Sequence, residues 1–479
     1  MEALADLEQW IADGEKATTV SLYTPSKSAE SGLRILDTFQ PKFMDTIFDD
    51  GKVFGYKDLK INIRYRANDM RPHVKVAYKE KTKPIGDREA DDIPEILQEG
   101  RHLPQVAFVR SSEFEEDTKQ QDEDWTPPGT LHSTFTASDG EHEIWRGTLD
   151  DPEVMQLNTR VQVFIMMLIR NGSYIGDTPD EESNEPDFSD ADRWTLFFLY
   201  KKSQSQDNPE KSSYTFVGFS TIYRFFYFQP PTPPASPNRE WELPDGKAEL
   251  TDLPSRQRLS QFIILPPFQG KGKGIQLYQT MFKYYHEQNQ TQEFVVEDPS
   301  EAFDDLRDIC DLAFLRTLPE FLTIKLDTSV SIPKKGAVPQ LLAGAEVEEV
   351  RRKAKIAPRQ FSRVLEMHLM DKLPDSVRPT IEELEDPPEP TEEDKQLERL
   401  WQLLAKQRLY RHNKGVMHEI PAEERPEALQ NTLESVEYGY AAILAAYDRA
   451  SKHWQSNGKR KHSDAGSSTT SKRLRMEED

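Results

Sequence analysis

The stretch LSQFIILPPFQGKGKG, residues 259–274, decides the fold. It opens on a strand-length apolar run, Phe262-Ile263-Ile264-Leu265, is punctuated by Pro266-Pro267, and closes on Gly270, Gly272 and Gly274 alternating with Lys271 and Lys273. Directly afterwards Ile275, Leu277, Tyr278, Met281 and Phe282 recur at helical spacing, so Lys273 to Glu287 reads as a helix. A strand, a glycine turn and a helix start gather free backbone N–H groups at the positive end of a helix dipole, which receives phosphate without a crowd of lysines. The turn must be sharp and its backbone must come close to the anion, which residues without a side chain allow. Lys271 and Lys273 can add positive charge. The hydrolase phosphate loop is excluded, because no Ser or Thr follows a Gly-Lys pair, and the GxGxxG dinucleotide fingerprint fits a GxGxG loop poorly. A ligand-free glycine turn is disfavoured by the flanking strand and helix and by Gln269.

Working outward, Phe294 to Glu297 reads as the next strand and Glu301 to Leu315 as the next helix. Upstream, strands are expected at 143–149, 194–200 and Tyr214 to Phe228, with a widely buried helix from Val154 to Ile169. Antiparallel strands followed by strand–helix–strand–helix give an α+β fold, a mixed, mostly antiparallel sheet covered by helices. Residues 1–136 form a separate mixed region. It holds an expected N-terminal helix (Leu4, Leu7, Trp10, Ile11), strands at Val53 to Tyr56 and Leu59 to Tyr65, and an acidic loop at 113–128. Residues 137–320 form the central domain, interrupted by an acidic loop (178–192) and a proline-rich loop (230–254). Residues 321–455 are mostly helical: Phe361, Val364, Leu365 and Leu369 share a face, an acidic proline-rich linker lies near 385–394, and Leu433, Val436, Tyr440, Ile443 and Tyr447 form a seam. The polar tail 456–479 is expected to be disordered. Its clusters Lys459-Arg460-Lys461 and Lys472-Arg473-Leu474-Arg475 read as a bipartite nuclear import signal.

Composition narrows the field. Eighty-four acidic against 61 basic residues give a net charge of −23, which disfavours direct nucleic-acid binding and favours a cationic partner. No apolar run reaches membrane-spanning length, and the acidic N-terminus lacks the form of a secretory signal, so the chain is expected inside the cell and off the membrane. The single cysteine, Cys310, excludes an internal disulfide framework and a cysteine-rich metal site. It lies in an apolar helix segment and reads as core, as does His368.

The loop resembles that of the GNAT acetyltransferases, whose Q/R-x-x-G-x-G/A is matched by Gln269, Gly272 and Gly274. The longer string 259–274, together with VEDPSEAFDDLRD at 296–308, is similar to the catalytic subunits of type B histone acetyltransferases. Further likeness at Asp49-Asp50, at Val53 to Tyr56 and at Tyr223 to Phe228 extends it over most of residues 35 to 370. The C-terminal hundred residues and the proline-rich insert are not covered, and the family often has His where this chain has Lys273.

The resemblance implies the GNAT fold, with acetyl-CoA as cosubstrate and no metal. The main chain of Phe262, Ile263 and Ile264 would pair with the pantetheine arm. Gln269, Gly270, Lys271, Gly272, Lys273, Gly274 and Ile275 would hold the pyrophosphate, with Ser300 and Arg307 completing the contacts; a surface ion pair is the alternative for Arg307. Asp49, Asp50 and Gly51, with Tyr223, Arg224 and Phe225, would contact the tail of histone four, although most of these rings also suit a core. A beta-propeller histone-binding subunit is the implied partner, and cytoplasm and nucleus the implied locations.

A lysine amine must lose its proton before it attacks a thioester, and lowering a pKa of about 10.4 to neutrality corresponds to roughly 4–5 kcal/mol. Glu297, ending an apolar strand, can take that proton directly or through water; the family places its base there, and Asp298 is the second candidate. Pro299 is expected to hold Asp298 extended. The leading expectation is direct transfer to a histone lysine in a ternary complex. Acetylation of another amine (a protein N-terminus or small amine) and a chaperone-like histone-binding role are the alternatives.

Overall fold

The computed structural model describes residues 8–122, 124–177, 185–204, 211–227, 253–333, 338–381 and 388–465, with side chains to residue 452. Leu4 and Leu7, residues 178–184 of the 178–192 loop, most of the 230–254 loop, Phe228, residues 385–387 of the linker and the second basic cluster lie outside them. The chain divides into two compact units, Met1–Asp298 and Pro299–Asp479, each with its own core. The division falls at neither 136/137 nor 320/321, the compositional boundaries. A strand spans the first of these positions and a helix the second.

In the first unit, strands β1 (Ile11–Asp13), β2 (Thr18–Pro25), β3 (Leu33–Phe39), β4 (Lys52–Phe54), β5 (Lys60–Arg66) and β6 (Pro72–Ala77) come first. A four-stranded sheet runs β3-β2-β5-β6, with β2 and β5 parallel. The expected N-terminal helix is not formed at Trp10 and Ile11. Ile11 instead pairs with Phe54 across an antiparallel β1–β4 ladder, so pairing with a distant segment overrides the local helical spacing. The acidic stretch expected as a loop contains helix α1 (Ser111–Lys119), organised by the buried Phe114 and Thr118.

A six-stranded sheet follows, built from β7 (Thr130–Ala137), β8 (Gly140–Thr148), β9 (Trp194–Gln204), β10 (Ser212–Phe226), β11 (Ser255–Ile264) and β12 (Thr291–Val296). Its order is β12-β11-β10-β9-β8-β7, and only β11–β12 is parallel. The expected 154–169 helix forms as two pieces, α2 (Pro152–Val161) and α3 (Val163–Leu168). The two sheets share one core. Lys42 and Phe43 N–H groups donate to the Met167 carbonyl, Phe216 N–H to the Ala67 carbonyl, and Arg160 reaches the Asp69 carboxylate at 2.8 Å. This continuity explains why no boundary separates residues 1–136 from the strands that follow. Helix α4 (Lys273–His286) lays Leu277, Tyr278, Met281, Phe282 and Tyr285 on the sheet, where the Tyr285 ring meets Phe197 and Phe294.

The second unit is helical, with α5 (Glu301–Leu315), α6 (Pro358–Asp371), α7 (Glu392–His412) and α8 (Arg425–Ala465). The Phe361, Val364, Leu365 and Leu369 face is buried, and Leu433, Tyr440 and Ile443 of the α8 seam pack within this unit. Buried polar clusters join the helices. Glu366 accepts from Arg408 at 2.8 Å and from the Tyr440 hydroxyl at 2.9 Å, while Asp308 accepts from Arg363 at 2.7 Å and Gln360 at 2.8 Å. Helix α8 continues to Ala465 and takes in Lys459 to Lys461, where the composition predicted an irregular tail from 456. Cys310 is buried, and burial pushes its thiol well above the usual range. Burial likewise depresses His368, to about 3, where it accepts from Arg316 beside the Phe321 ring.

Candidate active site

The site is built where β11 and β12 part. Their parallel ladder runs from Ser255–Thr291 to Leu259–Val296, and one further bond, Glu297 N–H to the Leu259 carbonyl at 2.9 Å, closes it. Strand β11 continues to Ile264 beyond that point. On its other side the register with β10 slips between Thr221 and Ile222, leaving Ser260 as the extra residue of a bulge that re-aims the strand.

The glycine loop follows. Gly270 and Gly272 have φ of 74° and 73°, values that favour glycine, and a Cβ at either position would meet no heavy atom within 4 Å. Gly272 is the N-cap of the 14-residue α4 and no side chain caps its first turn, so the turn's amide donors are left for an anion. The loop therefore fits a pyrophosphate. Gln269 turns back from it, donating from Nε2 to the Ile264 carbonyl at 2.7 Å and fixing the loop to the strand end.

The two loop lysines differ. Lys271 is exposed. Lys273 is not available as a phosphate-seeking charge: its side chain is fully buried, with Nζ 3.0 Å from Asp139 in the β7–β8 turn. Lys201 Nζ at 3.9 Å and His142 Nε2 at 3.8 Å face the same carboxylate. Burial alone would raise the Asp139 carboxyl, but the Lys273 ammonium outweighs it and holds the group below its ordinary value. Burial, opposed by the Gly140 carbonyl and Asp139, lowers His142. An ammonium at a helix N-terminus opposes the dipole, so Asp139 supplies the charge that makes this burial tolerable.

Glu297 ends β12 with its side chain 41% exposed, and its carboxylate meets Arg258 Nη1 at 3.0 Å. Asp298 does not adopt the extended backbone expected before Pro299. Its φ is +32°, a left-handed value that Asp tolerates better than most residues and that turns the chain sharply off the sheet. Tyr223 and Phe225 share a face of β10, ring centroids 4.6 Å apart, and Trp194 packs on Tyr223 at 4.8 Å. Burial lifts the Tyr223 hydroxyl above its usual pKa, with Arg193 opposing and Asp190 adding to the rise. Arg224 alternates to the other face, where its charge acts on Tyr285 of α4. The Arg258 guanidinium lies over the Phe225 ring at 4.8 Å and the Tyr223 ring at 5.7 Å, so one arginine joins Glu297 to the aromatic pair. Sequence reading missed Arg258, Asp139 and Trp194. A signal for the first was present in the two-residue spacing of Arg256 and Arg258, which places both on one strand face.

Asp49 and Asp50 are exposed in the 3₁₀ turn Asp49–Gly51, with φ of 50° at Asp50 and 70° at Gly51. Among the described residues no recorded contact joins them to Tyr223 or Phe225. Ser300 and Arg307 belong to the second unit. Ser300 caps α5, accepting from Phe303 N–H, and Arg307 is buried with Nε 3.5 Å from Asp311, so it is not the surface residue of the alternative reading.

A mixed sheet whose one parallel pair splits beside a glycine turn and an uncapped helix has the α+β, GNAT-like fold of an acetyltransferase. Comparisons name the family. Residues 10–170 match the model described as histone acetyl transferase HAT1 N-terminus, and residues 308–374 match the fungal HAT1 C-terminal model. Over 453 residues the chain is 56% identical to a histone acetyltransferase type B catalytic subunit of Gibberella zeae, covering 94% of both chains. It is 43% identical over 477 residues to the protein of that name from Neurospora crassa (94% of this chain, 91% of the relative). The Pyricularia oryzae protein is 42% identical over 482 residues (99% and 100%). The chain belongs to the family of type B histone acetyltransferase catalytic subunits and is a histone acetyltransferase. That family implies acetyl-CoA as the acetyl donor.

Proposed function

We propose that the enzyme acetylates a lysine in the N-terminal tail of newly made histone four by direct transfer from acetyl-CoA, with Glu297 as general base. The observation that carries this is the cluster at the end of β12: a carboxylate with a partly open face, 3.0 Å from Arg258 and bordered through it by Tyr223 and Phe225. A carboxylate beside aromatic faces suits an entering lysine ammonium, and the same carboxylate then accepts its proton. Acetyl-CoA supplies the activated acyl group. The main chain of Phe262, Ile263 and Ile264, the loop from Gln269 to Ile275, Ser300 and Arg307 are its proposed contacts. Asp298 is a second acid at the exit of the strand. Asp49, Asp50 and Gly51, with Tyr223, Arg224 and Phe225, are the proposed tail contacts, the acids meeting basic residues of the tail. A beta-propeller histone-binding subunit is the proposed partner, and cytoplasm and nucleus the proposed locations, consistent with the two basic clusters after residue 456.

The test is incubation of the purified chain with acetyl-CoA and a histone-four tail peptide, with mass spectrometry of the product. Glu297→Gln should lower kcat by about 10²–10⁴-fold, the usual range for a general base, with acetyl-CoA binding kept. Full activity in that variant removes Glu297 as the base. Modification of the peptide's α-amine in place of a lysine removes the lysine assignment.

A further inference from the structure

Arg258 sits at the centre of β11, paired in register with Tyr223 of β10 and Val295 of β12. Every polar and aromatic contact recorded for its guanidinium lies around the catalytic end of the sheet. Nη1 meets Glu297 at 3.0 Å, Nε donates to Ser260 Oγ at 3.2 Å, and the plane lies over Phe225 and Tyr223. Ser260 is the bulged residue of β11, so the arginine is braced by the same irregularity that re-aims the strand. Among the described residues, Arg258 is the recorded partner of the Glu297 carboxylate.

A carboxylate at a strand end, with 41% of its side chain exposed, retains rotamer freedom that a base cannot use. A planar guanidinium, itself held by two rings and a hydroxyl, restricts that freedom with little loss of its own. We infer that Arg258 is a positioning residue that orients the Glu297 carboxylate toward the acceptor lysine and couples it to the Tyr223–Phe225 wall. It acts through Glu297 and so rests on the assignment of that residue as base. The neighbouring ladder pair Arg256–Glu293, at 2.9 Å, has the same ion-pair chemistry two residues earlier on β11 without reaching Glu297. Arg256 is thus a built-in control.

Steady-state kinetics with acetyl-CoA and a histone-four tail peptide on Arg258→Met, Arg258→Lys, Arg256→Met, Glu297→Gln and the Arg258→Met/Glu297→Gln double variant test the inference. A misplacement of about 1 Å is worth up to about 10²-fold in rate. Arg258→Met should therefore lower kcat by about 10–100-fold while the KM for acetyl-CoA stays within about twofold. Arg258→Lys should recover part of the loss, since a lysine keeps the charge without the planar fork. Arg256→Met should leave kcat unchanged. The double variant should be no slower than Glu297→Gln alone, because an orienting residue has nothing to orient once the base is gone. Additive losses, or an unimpaired Arg258→Met beside an inactive Glu297→Gln, overturn the role of Arg258 alone. A fully active Glu297→Gln overturns the base assignment instead. If Arg258→Met does not fold, Arg258→Lys and its combination with Glu297→Gln carry the same test of additivity.

Discussion

Gly272→Ala separates what the glycine loop does for folding from what it does for the cosubstrate. The residue has φ 73° and ψ 0°, and an added Cβ meets no protein atom within 4 Å. The folded state then bears only left-handed strain, about 1–2 kcal/mol. Reduced freedom of the unfolded chain returns about 0.4–1 kcal/mol. The net loss is about 1 kcal/mol, or about 2 °C in Tm for a unit of this size. For acetyl-CoA the space that is empty of protein is the space a pyrophosphate must approach. A methyl group there removes one charge-assisted bond to a backbone N–H group, worth about 1.5–3 kcal/mol. The KM for acetyl-CoA should rise about 10–100-fold, with kcat at saturation within a few-fold. Gly86→Ala is the matched control: its φ is 64° and its Cβ also meets nothing within 4 Å, so it carries the same strain away from the loop. Thermal melts and acetyl-CoA saturation curves on the two variants decide the matter. Equal KM values in both refute the pyrophosphate cradle.

Other perturbations follow from the buried charges. Asp139→Asn leaves the Lys273 ammonium buried without its partner, so Tm should fall with a loss of about 3 kcal/mol, and the KM for acetyl-CoA should rise with the displaced start of α4. Asp139→Leu combined with Lys273→Met should recover most of the stability; if the double variant is as unstable as the single, the pair is not the determinant. Asp308 is pushed up to about 6, chiefly by burial and against the pull of Arg363, from an ordinary 3.8. A carboxyl raised on folding stabilises when protonated, so its contribution is full below pH 3.8 and lost as pH rises through 6. Between pH 5.5 and 7.5 this group removes roughly 1 kcal/mol from the parent and nothing from Asp308→Asn. The stability of the parent relative to the variant, from denaturant titrations at the two pH values, should drop by that amount. A constant difference means that Asp308 is ionised throughout.

The central strands and helices were legible because their patterns are local. Helix Glu301–Leu315 follows from its own apolar spacing, and the strand–glycine–helix run from Phe262 to Phe282 announces itself without tertiary information. Elements defined by a distant partner were not. Trp10 and Ile11 have helical spacing with Leu7, yet Ile11 lies in a strand because Phe54 pairs with it. Phe114 sits among seven acidic residues between 113 and 124 that read as a loop, yet its burial organises a helix. The same limit applies to the site. Glu297, the proposed base, stands out in the sequence because it ends an apolar run two residues before Pro299. Arg258 is one basic residue in a strand until the sheet places it against Glu297 and two rings. The position of Lys273 in the loop points its charge to the cofactor, and only the long-range turn at Asp139 shows where that charge goes.

That turn bears on inheritance. Positions 139 and 273 are separated by more than a hundred residues, but the acid at the first offsets the cation sealed at the second. Relatives with lysine at 273 should retain aspartate or glutamate at 139, whereas lineages with an uncharged residue at 273 are free to let 139 drift. A mutation at either position is then neutral or harmful according to the state of the other, and the order in which two such changes arose is constrained.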